Sequence, residues 1–154
     1  MKTLHHWILV GSLTLLATFV AAQQHPAASQ AVAGTDLQQI HSYMQKTWHS
    51  AEHPLKLGPA HISGDLAVAD WWHQGKGGRA VFKRSNKQWQ LILCGGAGIL
   101  QSALWQHLGL TPSAADDFVQ AIGRAEQSVS APDRALLDAF GATIKLHGGH
   151  EPQH

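Results

Sequence analysis

Imidazoles stand close to both ends of this chain of 154 residues. Near its carboxyl terminus runs His147-Gly148-Gly149-His150-Glu151-Pro152-Gln153-His154. The glycine pair lets the backbone turn so that His147 and His150 converge, with His154 and Glu151 free to complete a labile set of nitrogen and oxygen donors. Closing such a loop costs ordering entropy, so binding there is weak and suits transfer of a cation. The competing reading is a polar tail with incidental histidines. Near the other end stands Gln23-Gln24-His25. In a chain beginning at Gln23, the free amine, two deprotonated backbone amides and the His25 ring wrap one Cu(II) or Ni(II) in a square plane of nitrogens. A cut one residue to either side destroys that register, and cyclisation of an N-terminal glutamine removes the amine.

The register depends on processing. Lys2, an apolar run from Trp7 to Val20 and the compact Val20-Ala21-Ala22 read as a signal peptide over residues 1–22, cleaved after Ala22. The run is short for a spanning helix and no second one follows, so the expected product is exported, without membrane insertion after cleavage. Cleavage removes one of 11 basic residues, leaving them equal to the 10 acidic ones. A neutral surface argues against a nucleic-acid or anionic-membrane partner.

Cys94 is the single cysteine, so no disulfide closes within the chain and the fold rests on packing. Strict alternation puts Trp89, Leu91 and Leu93 on one strand face and Gln88, Gln90, Ile92 and Cys94 on the other, more polar one. A helix starting near Ile99 would aim its N-terminal amides back toward the glycine run after Cys94, where positive potential favours a thiolate, a soft ligand for Cu(I). A small buried core residue is the alternative, and a thiol-responsive protein is a further one. His41, His49, His53, His61 and His73 read as half-exposed helix and sheet residues. Trp71 and Trp72 read as an exposed pair able to contact a partner. Lys76-Gly77-Gly78-Arg79 reads as hairpin chemistry, because a strand follows it, and Gly95-Gly96-Ala97-Gly98 as a site of close backbone approach or anion contact. No paired-histidine hydrolase spacing, Cys-x-x-Cys pair or nucleophile elbow occurs, so the chain reads as a non-enzyme.

The elements that must position these groups follow from periodicity. Residues 23–34 read as a flexible leader and residues 35–144 as a single domain, with a histidine-bearing tail at 145–154. Thr35 or Asp36 caps a helix whose stripe is Leu37, Ile40, Met44 and Trp48. Four short strands follow, around 57–62, 66–72, 79–84 and 88–94. Ser63-Gly64-Asp65, a looser Gln74-to-Gly78 loop and Ser85-Asn86-Lys87 join them. Ile99 to Leu108 form a helix stopped by Gly109; Thr111-Pro112 opens another, and a third starts near Pro132 with Leu136, Leu137 and Phe140 inward. The expectation is α+β: a four-stranded antiparallel meander with an N-terminal helix and two to three C-terminal helices packed on one face.

Asp70-Trp71, then Gly75-Lys76-Gly77-Gly78-Arg79-Ala80, then Trp89 leading into Leu93-Cys94-Gly95-Gly96, and Ala125-Glu126 beyond an Ala-Leu-rich helix make the chain resemble the bacterial copper uptake system-associated proteins. The likeness spans most of Asp36 to Phe140. It implies a periplasmic accessory to copper acquisition or delivery, whose partner is a periplasmic copper chaperone or a membrane copper transporter. It transfers no ligand. Only Met44 would remain after cleavage, which turns the expectation from thioethers and Cu(I) toward imidazoles and Cu(II), with His25, His147, His150, His154 and Cys94 as candidate ligands. The alternative is a periplasmic protein-interaction or small-ligand-binding module without metal.

Overall fold

A computed structural model describes residues 27–141 and 144–145. The expected signal peptide at 1–22 and the candidate ligands His25, His147, His150 and His154 lie outside the described residues. Helix α1 (Ala27–Trp48) is followed by strands β1 (Lys56–Ser63), β2 (Leu66–His73), β3 (Lys76–Ser85) and β4 (Gln88–Gly95). Then come a 3-10 turn (Ala97–Leu100), α2 (Ser102–His107), α3 (Pro112–Ala125), a second 3-10 turn (Glu126–Ser128), α4 (Ala131–Ala139) and β5 (Ile144–Lys145). The sheet order is β1-β2-β3-β4-β5, antiparallel throughout. The expected α+β meander is therefore present, with a two-residue fifth strand added beside β4, too short to announce itself by alternation.

Local chemistry sets each hairpin. Gly64 takes a positive φ of 60° at the first position of its two-residue turn, while Gln74 and Gly75 (51° and 70°) and Asn86 and Lys87 (50° and 64°) are positive at both positions. Such turns match the twist of the strands they join. The second loop is thus tighter than expected, and Lys76, Gly77 and Gly78 belong to β3.

Both faces of the sheet are covered, which corrects the one-sided packing read from the sequence. Ile40 and Met44 of α1 pack with Ala67, Ala69, Ala80, Phe82 and Trp89. On the opposite face Leu66, Val68, Val81 and Leu93 meet Ile99, Trp105, Phe118 and Ile122. Leu66 to Asp70 and Gly77 to Phe82 are buried without interruption, as strands enclosed on two sides must be.

Helix α1 starts at Ala27, earlier than the expected cap at Thr35 or Asp36, and takes in much of the segment expected to be a flexible leader. Alanine-rich sequence favours the longer helix. Asp36, buried at 8 % exposure, instead lies inside the helix and accepts from Trp89 Nε1 (3.1 Å) and Arg84 Nη1 (2.8 Å). It pins α1 to the sheet. At the other end, Thr111 and Ser130 accept from Ala114 N and Asp133 N to cap α3 and α4. The helix expected over Ile99 to Leu108 divides at Gln101, and Trp105, fully buried, donates its indole N–H to Ile99 O at 2.8 Å. Leu137 is buried as expected, whereas Leu136 is exposed.

Candidate functional site

Cys94 sits on the α1 face, with 8 % exposure, in the cluster that holds Ala80, Phe82 and Trp89. This overturns the strict alternation read from the sequence. Val81 pairs with Leu93 but Phe82 pairs with Leu91, so Ile92 is an extra residue that turns Leu93 and Cys94 over relative to Trp89 and Leu91. Burial, not the nearby turn, governs the thiol, pushing its pKa up to about 11. At neutral pH it is a protonated core group. The same residue pairs with Ile144 of β5, which fixes the chain three positions ahead of His147.

The least expected feature is a buried charge cluster. Register sets Asp70 of β2 opposite Arg79 of β3, on the face toward α4. Arg79 is fully buried and donates from Nε and Nη2 to the two Glu126 carboxylate oxygens at 2.7 and 2.8 Å. Its Nη2 also lies 2.9 Å from Asp138 Oδ1. Burial opposes the guanidinium charge, but the Glu126 and Asp138 carboxylates raise its pKa overall. Arg134 donates to the Glu126 main-chain oxygen. Together these bonds clamp the segment from Glu126 to Asp138 onto the middle of the sheet. Asp70 Oδ2 and Arg79 Nη1 are buried and have no hydrogen-bond partner. Asp70 is pushed up to about 7, first by burial and next by the negative charge of Glu126. Asp70 is thus a buried carboxyl at the inner side of a cluster whose outer member, Asp138, is 43 % exposed.

The tryptophans are packed, contrary to the exposed pair expected. Trp72 is 8 % exposed, donates to Asp133 O at 3.0 Å and lies between Gly58 of β1 and Gly77 of β3. A Cβ at Gly58 would overlap the six-membered ring, and one at Gly77 would stand 2.8 Å from Cδ1. Trp71 packs against Trp48 (6.1 Å between centroids) and Phe140 (5.1 Å). The glycines of Lys76-Gly77-Gly78-Arg79 are thus seats for indoles. At Gly96 a Cβ would stand 2.6 Å from Asp138 O, so close backbone approach is the role found in that glycine run.

Histidines of the body fall into separate settings. His61 packs on Phe118 at 4.8 Å, and burial, then Arg124, lowers its pKa. Burial likewise lowers that of His41. His49 Nδ1 accepts from Leu55 N at 3.1 Å, and the rings of His53 and His73 meet edge to face at 6.2 Å. Among the described residues no group of three or more His, Cys, Asp or Glu side chains is placed to hold a metal ion, and no helix is long and apolar enough to cross a membrane. Comparison with protein-family models, curated proteins and solved structures gives no match to this chain.

Proposed function

We propose that the protein is an exported accessory of copper handling, acting in the periplasm. Its α+β body presents loosely held Cu(II) from donors at its two ends to a copper chaperone or membrane transporter. The observation that carries this reading is the placing of His25 and of His147, His150 and His154 just beyond the outermost described elements, α1 and β5. Asp36 of α1 binds Trp89 near the start of β4, while β5 pairs with Leu93 and Cys94 near its finish. Weak imidazole sites exchange metal quickly, and imidazole donors in general lose metal as protons compete below about pH 6.5.

The test is a Cu(II) titration of the chain beginning at Gln23, its terminal mass established first. Deleting residues 148–154 and changing His25→Ala should each lower the number of Cu(II) ions bound, and Cys94→Ser should leave it unchanged. Stoichiometry indifferent to both terminal changes overturns the assignment.

A second reading, a protein-interaction module, draws on the outer edge of β4. From Gln88 to Ile92 the only ladder described runs to β3, and beside it a groove of about 610 Å³ lies between Gln38, Ser42 and Tyr43 of α1 and Gln88 and Gln90. An extended partner strand fits such an edge. Failure of the intact chain to bind Cu(II) would favour this reading.

A further inference from the structure

Helix α1 hands over to β1 through a short loop, and that loop lies against the last residue of β2. Ser50 Oγ accepts from His53 N at 3.0 Å and Ser50 N donates to His53 O at 3.1 Å. Leu55 N–H donates to His49 Nδ1. These bonds hold His53, itself exposed, with its ring 6.2 Å from that of His73 and nearly perpendicular, at 86°. His73 is half-buried, and its Nε2 is out of contact with solvent without a hydrogen-bond partner. A buried ring nitrogen with no partner is costly, and a ligand satisfies it. Two imidazoles bound to one cation through bonds of about 2.0 Å have centroids roughly 6 Å apart when their nitrogens are trans, as in a tetragonal Cu(II) site.

We infer that His53 and His73 form a two-imidazole site for Cu(II) on the folded body, open to solvent on the His53 side so that water or a partner's donor fills the remaining positions. The site extends the functional reading above and rests on it for the choice of cation. It lies among ordered elements, so its geometry is set before metal arrives. That distinguishes it from the terminal donors, which must close on the ion. Trp71 shares the strand face of His73 two residues away and packs on Trp48, so a paramagnetic ion here should quench indole emission.

The test uses the chain beginning at Gln23 and carrying His25→Ala, His147→Ala, His150→Ala and His154→Ala. It should retain one equivalent of Cu(II), with imidazole nitrogen couplings in its paramagnetic resonance spectrum and quenched tryptophan emission. Adding either His53→Gln or His73→Gln should abolish that equivalent, whereas His61→Gln should not; circular dichroism confirms that each variant is folded. A folded four-alanine variant that takes up no Cu(II), or one that keeps its Cu(II) after both glutamine changes, overturns the inference. If the four-alanine variant binds as many ions as the parent chain, the terminal reading fails alone, and loss on His73→Gln still supports the pair.

Discussion

Arg79 faces three carboxylates, Asp70, Glu126 and Asp138, with Arg134 as the second cation of the group. One bound proton makes that group electrically neutral, and Asp70, almost wholly buried, is where it resides. Its pKa rises from 3.8 to about 7, so the folded chain holds a proton that the unfolded chain has released. Across that window Asp70 binds more proton in the native state, so its own contribution to stability falls as pH rises from about 4 to about 7, opposite in sign to that of His41 and His61. The full shift corresponds to roughly 4 kcal/mol, an upper bound. Denaturant titrations from pH 4 to 8 should show this slope in the difference between the parent and Asp70→Asn; parallel profiles for the two chains would disprove the assignment. Removing the cation is more severe. Arg79→Leu leaves Glu126 buried without its partner and should cost about 3–5 kcal/mol at pH 7, measured by the same unfolding experiment. None of this was legible beforehand, because Arg79 and Glu126 are 47 residues apart and nothing local marks either as buried.

Glycines divide sharply at the scale of elements. Gly77→Ala puts a methyl group against Trp72, prising the indole from Asp133 O and costing about 1–3 kcal/mol, typical of an overfilled core. Near-ultraviolet circular dichroism should change with it. Gly123, inside α3 with open space around it, should behave in the opposite way. Gly123→Ala should stabilise by about 0.4–1 kcal/mol, read as a raised melting temperature; a loss would mean the helix face is more crowded there. The turn glycines and the Thr111-Pro112 cap were legible because their signals are local. The extra residue at Ile92 was not, since Gln88 to Cys94 reads as plain alternation, and a single inserted position reverses everything after it. Leu136 was misplaced for a related reason: period alone does not say how wide the buried stripe of a short helix is.

At the scale of the whole molecule, α1 closes one face of the sheet, and its hold there is polar as well as apolar. Asp36→Ala should strand Trp89 Nε1, while Arg84 keeps Asp65 Oδ1 and Gly64 O, lowering stability by about 1–3 kcal/mol and exposing α1 to early amide exchange. Exchange of α1 no faster than in the parent would show that Ile40 and Met44 suffice. The terminal histidines were visible as composition. The His53 and His73 pair was not, because it exists only once the β1–β2 hairpin brings the end of β2 back to the loop after α1.

Among the described residues, the two unpaired margins of the sheet, β1 and the first part of β4, differ. β1 carries Pro59, which has no N–H, and its register breaks between Leu57 and Ala60, whereas β4 is regular from Gln88 to Leu91. Fibre growth by strand addition requires two receptive margins on every molecule, and β1 is a poor one. Self-association through this sheet should therefore stop at a two-fold pair joined β4 to β4, and concentrated solutions should yield dimers without filaments.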